Sequence, residues 1–262
     1  MIVTTRHEAP PDVQAQARLL ANRLGVRFIE RKKLSIARLH EYADRVIVVT
    51  DSGLKAYTKG EKAPFFFHPG MAMLRIKRLL AGDNDVMIQA CGLKRGDAFL
   101  DCTLGLAADS IVASFVVGQQ GRVVGIESER ILSLIVQEGL REYESPLAEA
   151  VEAMRRIEVV PLHHLTFLQQ CENNSFDVVY FDPMFFQAIA ASESIAPLRP
   201  FANYEELSLT AVKEAQRVAR RRVVMKNHRD SLDFERLGFT RYERMERSFT
   251  YGVIEVGGDA DE

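Results

Sequence analysis

An α/β fold with a mostly parallel sheet is predicted by three observations. From Asp97 onward, short β-branched runs alternate with helical patterns, the sign of successive β-α-β units. Three of these runs end in an acidic residue: Asp101 in FLDCTLGLAADS, Glu127 in GRVVGIES and Asp182 in FDVVYFDPMF. Two late segments, FTRYERM and SFTYGVIEV, lie too close for a crossover helix, which predicts an antiparallel pair at the sheet edge. The reading is a doubly wound sheet over 93–256, preceded by a small α+β region over 1–92 and followed by a disordered tail, 257–262.

In the amino-terminal region, Pro11 or Asp12 can open a helix that runs to about Leu24. VRFI, RVIVVT, LKAYT and PFFF then read as short strands broken by Gly53, Gly60 and Pro64. The stretch from Pro69 to Cys91 reads as helical, and GLKRGD as the boundary turn. In the second region AFLDC is the first strand, followed by a helix over about 107–117. VVGIE is the second strand, with a helix over about 130–141, and IEVV and VVYF are the third and fourth. A helix over about 205–219 leads into the fifth strand, RVVMK.

Composition narrows the function classes. Lys and Arg total 34 against 36 acidic residues, a net charge of −2, so a nucleic-acid partner would need a local basic patch. Two clusters qualify: Arg23, Arg27, Arg31, Lys32, Lys33 and Arg38, and then Arg75, Lys77 and Arg78; solvated helix faces explain each equally well. Arg220, Arg221 and Arg222 read instead as complements to a helix carboxyl terminus. Cys91, Cys102 and Cys171 have no C-x-x-C spacing, which argues against a disulfide framework or a structural zinc site. MIVTTRHEAPPD lacks the apolar core of a signal peptide, and no apolar run approaches the roughly 18 residues of a membrane span. The expectation is a soluble, cytoplasmic protein without a metal.

Open α/β sheets bind ligands at the carboxyl ends of their parallel strands. Three carboxylates at three such ends predict a ligand with hydroxyls, an amine and positive charge, and S-adenosylmethionine is such a ligand. Gly105, in the loop after the first strand, lets backbone approach the ligand without a Cβ in the way. Glu127 follows at close to the offset at which an acid meets ribose hydroxyls. Asp101 shapes the loop and can meet the ligand's amino-acid end. Asp109 either caps the next helix or meets that same end. His163 and His164 supply loop polarity or an adenine contact, and adjacent histidines do not make a metal site by spacing. Lys226 either neutralises a phosphate or snorkels from its strand end.

Asp182 carries the acceptor chemistry. An exocyclic amine is a poor nucleophile because its lone pair is delocalised into the ring, and a carboxylate that accepts its N–H can orient it. Pro183 fixes φ beside that carboxylate, and Phe185 or Phe186 could stack on a base.

DPMF resembles the (Asp/Asn)-Pro-Pro-(Tyr/Phe) motif of amino-methylating enzymes. Through GLKRG, FLDCTLGLAADSIVAS, VVGIES, VVYFDPMF and RVVMK, and more faintly RSFTYG, the chain resembles the small-subunit ribosomal RNA guanine-N2 methyltransferases. These are class I enzymes dependent on S-adenosylmethionine (SAM), so the resemblance implies a Rossmann-like class I methyltransferase fold with SAM as cofactor. It further implies that Ala108 and Asp109 contact the cofactor, that Glu127 and Ser128 hold its ribose and adenine side, that His163 and His164 make another contact, and that Asp182 completes it. With Asp101, Thr103 and Gly105 these form the candidate cofactor site; Asp182 and Phe185 are the candidate catalytic residues. The family's loop is closer to T-A-G-L-G-R-D, so Leu104, Ala107 and Ala108 depart from it. His163 and His164 stand where small hydroxyl residues are usual. Asn227-His228 replaces Arg-Pro, and QAIAASESIAP carries no basic run.

The reading is a SAM-dependent methyltransferase acting on an exocyclic amine, guanine N2 of ribosomal RNA, with that RNA or the small ribosomal subunit as partner. The charge balance and the missing basic run keep a small-molecule or protein acceptor open. The altered loop keeps a non-catalytic SAM-binding module open. A nicotinamide enzyme is disfavoured by the absent glycines of G-x-G-x-x-G.

Overall fold

The computed structural model describes residues 1–183, 201, 205–242 and 248–257. A first sheet holds β1 (Ile2–Thr5), β2 (Arg27–Phe28), β3 (Arg45–Thr50), β4 (Gly53–Thr58) and β5 (Phe65–Phe66), in the order β2-β1-β3-β4-β5. β1 runs parallel to β2 and β3, whereas β3, β4 and β5 form an antiparallel meander. β1 corrects the sequence reading, which left IVTT out of the sheet; all four residues are buried because the strand lies inside it. Between β1 and β2, α1 (Pro11–Leu24) opens on proline, whose missing N–H has no helical partner to lose. It closes on Gly25 at φ +66, whose N–H returns to the last turn. A short α2 (Ile36–Leu39) precedes β3.

The stretch after Pro69 is two helices, α3 (Gly70–Leu80) and α4 (Val86–Cys91). Gly82, at φ +90, turns the chain between them, and Asp85 caps α4 by accepting the Ile88 N–H at 3.2 Å.

The second sheet is the predicted one. Its strands are β6 (Ala98–Asp101), β7 (Arg122–Ile126), β8 (Ile157–Val160), β9 (Phe176–Phe181), β10 (Ala219–His228), β11 (Thr240–Arg241) and β12 (Phe249–Glu255), in the order β11-β12-β10-β9-β6-β7-β8. β6 to β10 are parallel, and β12 runs antiparallel to both β10 and β11, so the terminal pair forms with β12 inside it. The connecting helices are α5 (Ala108–Val117), α6 (Arg130–Glu142), α7 (Ala148–Arg155), α8 (His164–Gln170), α9 (Leu209–Val218) and α10 (Asp233–Leu237). α9 starts at Leu209, where Ser208 accepts the Ala211 N–H, later than the expected start near 205.

The central strands are apolar throughout because both faces are covered. Val178 and Tyr180 face a core with Phe99, Ile111 and Ile135, while Val179 and Phe181 face another with Leu100, Leu168 and Val212. The first of these cores also contains Val3, Val13, Ile47 and Ile76, so apolar packing is continuous from one sheet to the other. Strand order reverses at β6, which places the ligand crevice above β6 and its neighbour β9.

Arg220, Arg221 and Arg222 lie in β10, directly after Ala219, the C-cap of α9. Arg221 pairs with Asp97 at 2.6 Å and Arg222 with Glu255 at 2.8 Å. The expected tail, from 258 on, lies outside the described residues. No helix among those described is long and apolar enough to cross a membrane.

Candidate active site

Asp101 closes β6 and is buried. Its Oδ1 accepts the Thr103 N–H at 3.0 Å and its Oδ2 the Ser110 hydroxyl at 2.7 Å. Burial pushes its carboxyl up to about 7, against the pull of those two donors. Thr103 Oγ1 in turn accepts the Asp182 N–H at 2.6 Å, so the loop after β6 is tied to the turn after β9.

Two departures from the family loop acquire a structural account. Ala107 precedes α5 at φ +62, a left-handed conformation that the family's glycine adopts freely. Leu104 is buried over Gly125, where an added Cβ would fall 2.3 Å from Leu104 Cδ1. The leucine fills the space that this glycine leaves in β7.

Glu127 is buried just beyond β7. Its Oε2 accepts the Gly105 N–H at 3.1 Å and its Oε1 the Glu129 N–H at 2.9 Å. Burial pushes this carboxyl up to about 7, opposed by the backbone donors of Glu129 and Gly105. Each oxygen keeps lone-pair capacity for a ligand hydroxyl. Ser128 beside it is exposed, and Ala108 is half-buried as the first residue of α5.

At the next strand end His163 caps α8, its Nδ1 accepting the Leu165 N–H at 3.3 Å. Its Nε2 lies 3.1 Å from Glu205 Oε2, and its ring lies 4.2 Å from that of His164, centroid to centroid. His164 meets Phe181 edge-on at 5.8 Å. Burial, reinforced by His163, pushes the His164 imidazole down to about 4, so it is neutral near pH 7. The pair offers flat rings to a planar ligand group.

Five alternating charges, which sequence reasoning did not connect, run beneath the crevice. Arg75 of α3 grips Asp85 with two hydrogen bonds, 2.7 and 2.9 Å, and also donates to Asp109. Asp109 lies 3.6 Å from Lys226 Nζ, and Lys226 donates to Asp182 Oδ2 at 2.7 Å. Tyr180 Oη adds a donor to Asp109 at 2.9 Å. Burial alone would push the Asp109 carboxyl up, but Lys226 and Arg75 hold it well below the usual carboxylate range. Burial would likewise neutralise Lys226, yet Asp182 and Asp109 keep it charged. For Asp182 burial pushes the carboxyl up, with Lys226 opposing. Three carboxylates against two cations leave one negative charge, which suits a cationic ligand beside Asp182.

Arg75 is therefore not part of a solvated basic face, and Asp109 is an ion-pair centre within the first turn of α5. Lys226 neither snorkels nor stands ready for a phosphate; it is engaged by two carboxylates and lies 5.1 Å from the Phe249 ring centre. Arg75, Asp109 and Lys226 come from three distant elements, so no spacing in the chain announces them. Asp101, Thr103, Gly105, Glu127 and Asp182 converge on adjacent strand ends, with His163 and His164 at the neighbouring end. Phe185 and Phe186 lie outside the described residues.

A family model described as "Putative SAM-dependent methyltransferase" matches residues 28–237. Among curated proteins, "Uncharacterized protein YpiP" of Bacillus subtilis (strain 168) is 42% identical over 256 residues, covering 97% of this chain and 99% of that one. "Ribosomal RNA small subunit methyltransferase J" of Mannheimia succiniciproducens is 30% identical over 162 residues, covering 59% of this chain and 62% of that one. A solved SAM-dependent methyltransferase from Neisseria gonorrhoeae shares the fold with a TM-score of 0.64 at 17% identity, covering 98% of this chain and 97% of that one.

Proposed function

The chain belongs to the SAM-dependent methyltransferase family, and from that premise we propose that its methyl acceptor is an exocyclic amine in ribosomal RNA, the N2 of guanine. SAM is its cofactor and supplies an electrophilic methyl group on a sulfonium. Glu127 would hold the ribose hydroxyls with the lone pairs its backbone donors leave free. Gly105 would let the backbone approach the ligand, and the single negative charge left by the five-residue chain would face the sulfonium. Asp101, Thr103 and Ser110 brace this loop from beneath.

The observation that carries the acceptor reading is the state of the Asp182 carboxylate. Lys226 takes Oδ2, and Thr103 anchors the Asp182 backbone N–H. Oδ1 accepts nothing from the described residues, so it is free to accept an amine N–H and aim the nitrogen at the methyl group. The nitrogen becomes strongly acidic once methylated, and its proton can pass to solvent, so no dedicated base is required. The likeness to a protein named as a ribosomal RNA small subunit methyltransferase supports RNA as the carrier of that amine.

Small-subunit ribosomal RNA transcribed in vitro, and so unmethylated, should take labelled methyl groups onto guanine. At saturating SAM, Asp182→Ala should lose transfer by about 100-fold or more. A protein that binds SAM but labels no RNA would refute the reading, leaving a small molecule or protein side chain as acceptor. SAM binding without methyl transfer to RNA, small molecule or protein would leave a non-catalytic SAM-binding module.

A further inference from the structure

We propose that the exposed face of α3, together with Phe66 and His68 before it, docks the single-stranded RNA that flanks the target nucleotide. This inference rests on the RNA reading above and names the surface that would serve it. Ala72 and Ile76 bury one side of α3 against the core, whereas Met71, Leu74, Lys77 and Arg78 are exposed on the other. Met71 is 64% and Leu74 45% exposed, and Phe66 is 46% exposed just ahead of the helix. Such a run of uncovered apolar side chains calls for an occupant.

Charge says which kind. From Lys62 to Gly82 the chain contains no acidic residue, although the whole protein carries a net charge of −2. Arg75 is committed to Asp85 and Asp109, which leaves Lys62, Lys77 and Arg78 exposed and without an ion pair among the described residues. Lys55 Nζ adds a cation 5.8 Å from the Phe66 ring centre, and His68 meets that ring edge-on at 6.5 Å. Apolar and aromatic side chains interleaved with cations are what a single strand requires, since its bases are free to stack and its phosphates need neutralising. A duplex hides its bases and would leave Met71, Leu74 and Phe66 unused. A second copy of this chain in a two-fold contact would set Lys77 and Arg78 against their equals.

Position ties the surface to the chemistry. Arg75 lies between Met71 and Arg78 on the same helix and reaches Asp109, which stands 3.6 Å from the lysine that holds Asp182. Phe65 packs at 5.3 Å against Phe201, beyond the segment that follows Asp182, while its neighbour Phe66 faces outward.

Two variants test this, Lys77→Glu/Arg78→Glu and Met71→Ser/Leu74→Ser, with fluorescent fragments of unmethylated small-subunit ribosomal RNA as the probe. Both should keep wild-type SAM affinity and lose RNA affinity by at least about tenfold. The charge-reversed pair should also lower the salt dependence of binding by about 1.4 in log–log slope, the value of two single-strand phosphate contacts. RNA affinity unchanged in both variants would overturn the surface while leaving the RNA reading intact. Loss of RNA affinity in the variants without any methyl transfer by the wild type would uphold the surface and refute the acceptor. A wild type that binds no RNA would overturn both. A wild-type dimer that these substitutions split into monomers would assign the face to a second copy instead.

Discussion

In the role proposed for it, Glu127 accepts two ribose hydroxyls best as a carboxylate, yet burial lifts its carboxyl from an ordinary 4.5 to about 7. Cofactor affinity should therefore fall as pH drops from about 8 to about 6, and calorimetry on Glu127→Gln should show weaker binding with a flatter pH dependence. The effect on folding has the opposite sign. A carboxyl raised in the folded state binds its proton more tightly there, so its stabilisation is full below the ordinary value and lost as pH rises through about 7. The stability deficit of wild type relative to Glu127→Gln should accordingly shrink on acidification from about 7 to about 4.5. Leu104 makes a second test at this scale. Leu104→Ala should cost about 3 kcal/mol in urea denaturation by opening a cavity over Gly125. Gly125→Ala should destabilise the wild type, since its Cβ would fall 2.3 Å from Leu104 Cδ1, and should recover part of the loss in the Leu104→Ala background. Neither fact is legible from Leu104 alone, because the glycine it covers belongs to the next strand.

Among elements, α3 does the most that its sequence conceals. Its apolar periodicity is plain, but whether Arg75 faces solvent or the site depends on where α5 and β10 bring Asp109 and Lys226. Arg75→Met would leave Asp85 and Asp109 short of their cation and should destabilise the fold by about 3 kcal/mol, read by thermal or urea unfolding. Arg75→Lys should fall between, because an ammonium cannot reproduce the paired hydrogen bonds to Asp85. Methyl transfer should fall in Arg75→Met beyond any loss of folded protein, since Lys226 would then answer to Asp109 more strongly and hold Asp182 less well. Elements with a local signature were legible: central strands as uninterrupted apolar runs, α1 between proline and glycine, and the terminal antiparallel pair from its short connection. β1 was missed because four residues at a chain end show no period. The break between α3 and α4 was missed although Gly82 and Asp85, a turn and a cap, stand in the sequence.

At the scale of the whole molecule, the sequence reading divides the chain near 92, where GLKRGD changes the pattern, but packing runs across that division. Phe67 covers Gly139 of α6 so closely that an added Cβ would fall 2.2 Å from its Cγ, and its ring meets Tyr143 at 6.0 Å. Arg45 pairs with Glu129 at 2.9 Å, Arg75 with Asp109, and Val3, Ile47 and Ile76 share one core with Phe99 and Ile111. We therefore expect residues 1–92 and 93–256 to unfold as one cooperative unit. Calorimetry should give a single transition whose van't Hoff and calorimetric enthalpies agree. A fragment beginning at Leu93 would uncover the α6 groove that Phe67 fills and would remove the arginine that, with Lys226, offsets Asp109 and Asp182. It should fail to fold stably and fail to bind SAM, even though it keeps every strand of the second sheet. Two resolved transitions, or a folded 93–257 fragment with wild-type SAM affinity, would show instead that the amino-terminal region is an independent module and that Arg75 is dispensable to the pocket.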